Sequence, residues 1–353
     1  MDTSFWSRKK ILITGHTGFK GSWLTQWLTM IGAQVVGYAL QPPSSPSLFE
    51  AASIASDCCS LHGDICDSPK LRQVLQDHQP EIVFHLAAQP LVRSSYKDPV
   101  STFQTNVMGT VHLLEAARRT PSVRVVINVT SDKCYLNEGH SVHLFKESDP
   151  LGGHDPYSAS KACAELVTAS YRQSFYDPDG TSQPRLASVR AGNVIGGGDW
   201  AEDRLIPDLV RAYLAALPLV VRNPGAIRPW QHVLDPLHGY LLLARKLWDD
   251  ARYAEAWNFG PVGPLYMTVG DMTRLAAETW QERLDITAAP QPEVYEAPVL
   301  GLDSSKSVQA LGWLPKLSTK EAVEWTVLWY KQFQAGGNMR SFTQQQIRVF
   351  ETK

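Results

Sequence analysis

Thr14-Gly-His-Thr-Gly-Phe-Lys-Gly21 places glycines at positions 15, 18 and 21, close to the start of the chain. The apolar run at 10–15 predicts a buried strand, and the pattern at 23–31 predicts a helix. A glycine loop between a strand and a helix lets a pyrophosphate approach the helix N-terminus, where backbone amides favour anions. This context predicts a dinucleotide-binding fold. The alternative is a tight turn that uses glycine only for its positive φ.

Strands and helices alternate along the sequence that follows the glycine loop. Apolar runs predict strands at 34–40, 81–87, 123–129 and 186–189, and helical patterns lie at 71–77, at 102–119 and from Ser158 onward. Such alternation favours a parallel sheet that is covered on both faces. We therefore predict an α/β fold with a Rossmann-like parallel sheet and helices on both faces.

The composition of the sequence changes after Arg190, where glycines and prolines become frequent. A chain of 353 residues is long enough for about two domains. We expect a dinucleotide-binding domain at 1–189 and a smaller mixed α/β substrate lobe at 190–353. Segments near 229–260 can return to the first domain.

Composition and charge exclude several classes of protein. The net charge is only −2 and no run of lysine and arginine forms a basic stripe, so neither nucleic acid nor an anionic membrane is an expected partner. The apolar runs are too short to span a bilayer. The five cysteines include the adjacent pair Cys58-Cys59 and form no CxxC pair, which indicates free thiols in a reducing cytoplasm and no metal site.

A tyrosine and a lysine stand four residues apart in Asp155-Pro-Tyr-Ser-Ala-Ser-Lys161, at the predicted start of a helix. Residues at this spacing lie on one face of a helix, one turn apart. Since the ordinary pKa of tyrosine is about 10, a lysine cation nearby helps the phenol to act as a base. Most such pairs lie on solvated helix surfaces, but the glycine loop favours a catalytic pair here.

The end of the second predicted strand lacks the acid that usually holds the adenosine ribose of a dinucleotide. Residues 37–41 read Gly-Tyr-Ala-Leu-Gln and also lack a lysine or arginine that could neutralise a 2′-phosphate. This favours NAD over NADP. Asp64, in Gly63-Asp-Ile-Cys-Asp67, is the hypothesis for the adenosine contact, and the alternative is a carboxylate that only stabilises its own turn.

The glycine loop, His85-Leu-Ala-Ala88 and the Tyr157–Lys161 pair together resemble the extended short-chain dehydrogenase/reductases over nearly the whole chain. Within that family, Val129-Thr-Ser-Asp-Lys-Cys-Tyr135 is similar to the nucleotide-sugar 4,6-dehydratases. The strings at 190–200 and 227–233, Arg-Ala-Gly-Asn-Val-Ile-Gly-Gly-Gly-Asp-Trp and Ile-Arg-Pro-Trp-Gln-His-Val, resemble the branch that acts on CDP-sugars.

This resemblance implies a reaction and its catalytic residues. The expected reaction is dehydration of CDP-glucose to CDP-4-keto-6-deoxyglucose, with NAD as a recycled cofactor. Ser131, Tyr157 and Lys161 would form the triad that supports oxidation at C4. Asp132 would protonate the hydroxide that leaves C6, and Lys133, in place of the glutamate common in dehydratases, would remove the C5 proton. A homodimer or homotetramer, paired through the helices at 102–119 and 158–175, is the implied assembly.

The remaining residues that the resemblance implies bind the cofactor or the substrate. Those for the cofactor, besides Tyr157 and Lys161, are Gly15, Thr17, Gly18, Phe19, Lys20, Gly21, Asp64, Ile65, Ala87 and Ala88. Those for the sugar nucleotide are Asn193, Arg204, Arg228 and His232. The two arginines suit its diphosphate, because guanidinium groups bind phosphate oxygens well. Tyr295 stands where the resemblance leads us to expect histidine.

Two other functions fit parts of the pattern. A C4 epimerase of nucleotide sugars needs the same triad but no acid for a departing hydroxide, so Asp132 argues against it. A non-catalytic dinucleotide-binding protein on this fold would be free to lose Tyr157 or Lys161, and both are present. A further alternative is a nucleotide-sugar 4,6-dehydratase that acts on a different nucleotide. Only the resemblance, and not the residues themselves, favours cytidine as the base.

Overall fold

A parallel sheet organises the residues that the computed structural model describes, which are 2–139, 143–176, 184–263, 267–281, 284–289 and 297–353. The strands are β1 (Lys10–Thr14), β2 (Gln34–Ala39), β3 (Cys59–His62), β4 (Ile82–His85), β5 (Val125–Val129), β6 (Leu144–Phe145), β7 (Arg185–Ala191), β8 (Val194–Ile195), β9 (Leu219–Val221), β10 (Ile227–Arg228), β11 (Gln231–His232), β12 (Ala256–Phe259), β13 (Met267–Thr268), β14 (Ile286–Ala288) and β15 (Gly301–Leu302).

Helices cover both faces of this sheet and build much of the second lobe. They are α1 (Thr3–Trp6), α2 (Phe19–Met30), α3 (Leu48–Ala51), α4 (Ser68–His78), α5 (Val92–Lys97), α6 (Pro99–Phe103), α7 (Gly109–Arg118), α8 (Pro156–Ser174), α9 (Leu205–Ala215), α10 (Leu234–Asp249), α11 (Val269–Trp280), α12 (Thr319–Gln334) and α13 (Met339–Thr352). None of the helices in the described residues combines the length and hydropathy needed to cross a membrane.

The central sheet has seven strands in the order β12-β7-β5-β4-β1-β2-β3, and every neighbouring pair is parallel. The strand order reverses between β1 and β4, where Thr14 lies opposite His85. Ligands of open α/β sheets bind outside the carboxyl ends of the strands at such a reversal. The predicted Rossmann-like fold is confirmed, and its geometry directs attention to the loops that follow β1, β4 and β5.

Alternate residues of the central strands enter two different cores. Leu12 and Val83 pack on one face of the sheet, with Leu71 and Leu113 of α4 and α7. Ile13 and Phe84 pack on the other face, with Trp27 of α2. Because successive side chains of a strand point to opposite faces, burial of both sets explains why these strands read as continuous apolar runs.

The structure differs from the sequence prediction at two elements of the sheet domain. The helix predicted at 102–119 is divided, with a π-helical turn at Gln104–Met108 between α6 and α7. The strand β12 extends the sheet beside β7, with Ala256 opposite Ser188 and Phe259 opposite Ala191. The apolar pattern of the helix does not reveal the wider π-helical turn within it. The strand β12 has only four residues, Ala-Trp-Asn-Phe, which is too short an apolar run to predict a strand.

The chain after residue 190 forms short strand pairs and packs back on the first domain. Helix α13 lies on α2, where the Trp27 indole Nε1 donates to Glu351 Oε1 at 3.0 Å. The Trp23 indole donates to the Gly197 carbonyl at 3.0 Å. The helix that follows the glycine loop is thus held by residues far away in the sequence.

Candidate active site

The glycine loop turns sharply beside the strand reversal. Gly15 has φ +78°, and a Cβ there would lie 2.7 Å from the Ala87 amide nitrogen after β4. A Cβ on Gly21 would lie 2.1 Å from the Gly15 carbonyl oxygen. The helix α2 begins at Phe19 with Gly18 as its N-cap. The bare backbone therefore forms a close-fitting cradle at a helix N-terminus, which suits a phosphate group.

The other residues predicted to bind a dinucleotide surround this cradle. The Thr17 hydroxyl donates to the Leu40 carbonyl at 3.0 Å, and Ala87 and Ala88 lie half-buried after β4. Asp64 is exposed, and its Oδ1 accepts the Cys66 amide at 2.8 Å, which is the turn-stabilising alternative for this carboxylate. Ile65 is buried beside Gly109.

The catalytic loop follows β5 and forms a short 3-10 turn at Asp132–Cys134. Ser131 begins this turn in an extended conformation, and its Oγ accepts the Lys133 amide at 3.2 Å while donating to Asp132 Oδ1 at 3.1 Å. Among the described residues, the buried Oδ2 of Asp132 has no hydrogen-bond partner. The acid is therefore available to a ligand.

The start of α8 brings Tyr157 and Lys161 to the same loop. Asp155 caps the helix by accepting the Ser158 amide at 2.9 Å, and the Tyr157 amide donates to Ser95 Oγ at 3.1 Å. Tyr157, Lys161, Ser131 and Asp132 are all buried. The i, i+4 spacing, the cap and the loop after β5 thus place a phenol, an ammonium, a hydroxyl and a carboxyl in one crevice.

Burial dominates the acid–base properties of this crevice. Burial raises the pKa of Tyr157 to about 12, while the side chain of Ser131 lowers it, the charge of Asp132 raises it and the charge of Arg204 lowers it. Burial also lowers the pKa of Lys161 to about 8. Lys161 is not among the largest influences on the Tyr157 pKa, although the sequence pattern led us to expect it. The groups of the chain alone therefore leave Tyr157 as a neutral phenol near neutral pH.

The pKa of Asp132 is raised because burial outweighs the attraction of the surrounding cations. Lys133, Arg228 and Lys20 lower it, as does the hydrogen bond from Ser131. A carboxyl group in this setting keeps its proton to higher pH than one in water, so Asp132 is suited to donate a proton.

Lys20 reaches the catalytic crevice as well as the cofactor cradle, which the sequence analysis missed. Burial lowers the pKa of Lys20 to about 8, the charges of Arg204 and Lys161 lower it further, and Asp132 and Asp199 oppose the shift. A cation in the first turn of a helix opposes the helix dipole. That mismatch at Lys20 was the available sequence signal.

Two of the predicted substrate residues of the second lobe adjoin the crevice. Arg204 pairs with Asp199, with Nη1 to Oδ2 at 2.8 Å, and its charge acts on Tyr157. Arg228 is buried on β10 and donates to the Ile227 carbonyl at 2.9 Å. It lines a cavity of about 30 Å³ together with Lys133 and Asp155.

Asn193 and His232 lie in different settings. Asn193 is half-buried, one residue beyond Gly192, whose added Cβ would lie 3.0 Å from Asp132 Oδ2. His232 is fully buried with its ring against Trp23 and Trp325, and burial lowers its pKa to about 3. The structure therefore places His232 in the core with a neutral ring, and its predicted contact with the substrate stays a prediction. Tyr295 lies outside the described residues.

Known proteins resemble the chain in sequence and in fold. The family described as GDP-mannose 4,6 dehydratase matches residues 12–326. A CDP-glucose 4,6-dehydratase of Salmonella typhimurium is 47% identical over 351 residues, covering 98% of this chain and 97% of that protein. The structure of a dTDP-glucose 4,6-dehydratase from Streptomyces venezuelae with NAD bound is 25% identical, with a TM-score of 0.78 over 93% of this chain and 98% of that one.

The solved structure of an epimerase has a similar fold. A UDP-glucose 4-epimerase from Thermotoga maritima is 22% identical, with a TM-score of 0.79 over 92% of this chain and 99% of that chain. This likeness shows the shared fold alone. The residues of the crevice must therefore distinguish the chemistry.

Proposed function

The chain belongs to the GDP-mannose 4,6 dehydratase family, and on that premise we propose that it converts CDP-glucose to CDP-4-keto-6-deoxyglucose with NAD as a recycled cofactor. The observation that carries the proposal is the buried Asp132 with a raised pKa, bonded to Ser131 in the crevice that holds Tyr157. The choice of CDP-glucose rests on the Salmonella typhimurium relative, which is 47% identical.

The residues around the strand reversal fit a dinucleotide. The positive φ of Gly15 and the close approach of Gly21 to Gly15 leave the N-terminus of α2 open to a pyrophosphate. Gly15, Thr17, Gly18 and the amides after β4 would hold NAD, and Lys161 would hold its nicotinamide ribose. NAD supplies a hydride acceptor for the sugar carbon C4 and afterwards a hydride donor for C6.

Tyr157 is the proposed base for the C4 hydroxyl. Burial holds its pKa at about 12 in the chain alone, so the positive charges brought together around the hydroxyl must favour the phenolate when the site is filled. Ser131 would complete the hydrogen bonds at the sugar hydroxyl, and Lys161 supplies a cation one helical turn from Tyr157. Together these residues move a proton away from C4 as it is oxidised.

Asp132 and Lys133 are proposed for the removal of water. A ketone at C4 makes the C5 proton acidic, so loss of the C6 hydroxyl needs a base at C5 and an acid at the departing oxygen. Burial raises the pKa of Asp132, which favours the protonated form that can deliver a proton. Lys133 lies in the adjoining cavity with Arg228 and is the proposed base.

The diphosphate of the substrate is assigned to the cations that the second lobe brings to the crevice. Arg228 acts on Asp132 and Arg204 acts on Tyr157, so both guanidinium groups lie near the reacting atoms. Asn193 follows Gly192, whose backbone lies close to the Asp132 carboxyl. Guanidinium forks suit phosphate oxygens, and the amide can bind a neighbouring hydroxyl.

Incubation of the protein with NAD and a panel of sugar nucleotides, followed by mass analysis of the products, tests this proposal. The expected result is loss of water from CDP-glucose and not from UDP-glucose or GDP-mannose. Conversion of dTDP-glucose instead would change the assigned nucleotide base. Inversion at C4 without loss of water would establish the epimerase alternative.

We expect NAD to bind more tightly than NADP. Residues 37–47 contain no lysine or arginine that could neutralise a 2′-phosphate. The His16 ring lies against Gly37, and burial lowers its pKa to about 4, so it is neutral and supplies no positive charge. Titration calorimetry of the cofactor-free protein with each dinucleotide measures the preference. Tighter binding of NADP would contradict this assignment.

A homodimer through α6, the π-helical turn and α8 is the proposed assembly. The exposed apolar side chains on these segments include Val100 of α6, Met108 of the turn and Leu166 of α8, and α6 packs beside α8. Contiguous exposed apolar surface marks interaction sites. Five free cysteines support a reducing compartment such as the cytoplasm.

Leu166→Glu should convert the dimer to a monomer, because it places a charge within the apolar face. Leu217→Glu is the matched control, since Leu217 is similarly exposed, at 60% against 58%, but lies beyond α9 in the second lobe. Sedimentation velocity measures the mass of each variant. A wild-type monomer, or a dimer that only Leu217→Glu dissociates, would refute this choice of interface.

A further inference from the structure

A buried ion pair lies beneath the catalytic loop and takes no part in the reaction proposed above. Glu165 follows Lys161 by one turn of α8, and its Oε2 lies 2.7 Å from Nη2 of Arg190 on β7. The two side chains are only 3% and 4% exposed. Such a pair costs desolvation free energy, so its hydrogen bonds decide what it contributes.

The Glu165 carboxylate connects three elements that form the site. Thr130, the residue before Ser131, donates its hydroxyl to Oε1. Ser188 of β7 donates to Oε2 at 2.8 Å. Glu165 thereby fastens the catalytic helix to the end of β5 and to β7. Any movement of this carboxylate would shift Ser131 relative to Lys161.

Arg190 extends the same network towards the edge of the sheet. Its Nη1 donates to the Tyr135 hydroxyl at 2.7 Å, and that hydroxyl donates to Asn258 Oδ1 of β12 at 2.7 Å. The guanidinium therefore has partners on the catalytic loop as well as on α8. Hydrogen bonds thus connect the ion pair to the catalytic loop and to the helix that carries Tyr157 and Lys161.

We propose that Glu165 is a positioning residue for the reaction, which holds Lys161 as a cation and the Thr130–Ser131 backbone in place. The proposal rests on the proposed function, because it concerns a residue that acts through the catalytic lysine. Lys161 and Glu165 lie on the same face of α8, one turn apart, and the Glu165 charge favours the protonated form of Lys161.

The groups that surround Lys161 leave Glu165 as its anionic neighbour at neutral pH. Lys20 faces it from α2, His85 from β4 and Cys134 from the catalytic loop. Burial lowers the pKa of His85 to about 3 and raises the pKa of Cys134 well above its ordinary value, so both are neutral. Tyr157, on the same helix, is a neutral phenol in the chain alone.

Glu165 itself stays ionised. Burial opposes its ionisation, but the charge and hydrogen bond of Arg190, with those of Thr130 and Ser188, outweigh this and lower the pKa of Glu165. For Lys161, burial lowers the pKa to about 8, and the charge of Glu165 opposes that fall. Loss of the Glu165 charge therefore lowers the Lys161 pKa further, so that the ammonium loses its proton at a lower pH.

Glu165→Gln tests the proposal because it keeps the shape and removes the charge. Ser188→Ala is the matched control, since it removes one hydrogen bond to the carboxylate and no charge. In the NAD-loaded enzyme, the pH dependence of kcat is measured, and NMR of isotope-labelled lysine follows the Lys161 side chain, assigned with Lys161→Met. In Glu165→Gln we expect the apparent pKa from kcat and the Lys161 pKa from NMR each to decrease by about one unit or more. In Ser188→Ala we expect both values to match the wild type.

Glu165→Gln leaves Arg190 without its counter-charge, which can prevent folding. The double variant Glu165→Gln/Arg190→Met removes both charges and should show a downward shift of the Lys161 titration as well. If the folded variants lose stability while Lys161 titrates as in the wild type, Glu165 is only structural and the proposal is overturned. If the wild type converts no sugar nucleotide, the proposed function fails, while the NMR titration still decides the influence of Glu165 on Lys161.

Discussion

Tyr157→Phe lowers turnover of CDP-glucose by about a hundredfold or more, while the protein keeps its fold and its affinity for NAD. The substitution removes one hydroxyl from a side chain whose ring is already buried in the crevice. The helix start is unaffected, because the Tyr157 amide, rather than the side chain, donates to Ser95. Steady-state rates with mass analysis of the product, and calorimetry with NAD, measure the two effects separately.

Tyr171→Phe is the control for this experiment. Tyr171 lies nearer the C-terminal end of the same helix, where it packs against Phe175, Tyr176 and the core beside α7. We expect its rate to match that of the wild type. A Tyr157→Phe enzyme within about tenfold of the wild-type rate would show that another group removes the proton.

Asp132→Asn should block the second half of the reaction and spare the first. Asparagine keeps the shape of the side chain and can still accept the Ser131 hydrogen bond, but it has no proton to give to the departing hydroxide. Oxidation at C4 needs Ser131, Tyr157 and Lys161, so it proceeds. Formation of the 6-deoxy sugar should fall by about a hundredfold or more.

Stopped-flow absorbance of the reduced nicotinamide, with mass analysis alongside, separates the two halves in Asp132→Asn. The absorbance should rise and persist with little 6-deoxy product. An undiminished rate of 6-deoxy product would remove Asp132 from the acid role. The pKa of Asp132 is raised by burial, so the wild-type rate of water loss should decline as pH rises and the acid loses its proton.

Lys133→Met is the companion to Asp132→Asn and addresses the other proton. It should slow exchange of the C5 hydrogen with solvent deuterium, because the proposed base is gone while the acid remains. Product mass in deuterated water gives this exchange. Normal exchange in Lys133→Met would leave the C5 proton to a different base.

The sequence predicted the sheet because its central strands are buried on both faces and read as unbroken apolar runs. The predicted membership of the nucleotide-sugar 4,6-dehydratases is confirmed by the family match over residues 12–326. The strand β12 escaped prediction because Asn258 interrupts its apolar pattern. That asparagine is buried through hydrogen bonds to Tyr135 and to the Phe145 carbonyl, which depend on the tertiary fold.

The candidate site shows the same division between local and tertiary information. Tyr157 and Lys161 could be paired from their spacing, and Ser131 was joined to them through the family resemblance. The burial of His232 could not be predicted, since it depends on Trp23 and Trp325 from distant parts of the chain. The ion pair of Glu165 and Arg190 could not be predicted either, because the two residues are distant in the sequence and are brought together only by the packing of α8 on β7.

The position of β12 bears on how the protein is made. Strand β7 accepts β12 along its outer side, yet residues 256–259 leave the ribosome well after residues 185–191. At about 5–20 residues per second, synthesis leaves this side of β7 uncovered for several seconds. An uncovered strand edge is a template for pairing with other chains. Nascent chains that end between the two strands therefore expose a strand edge to other chains until residues 256–259 cover it.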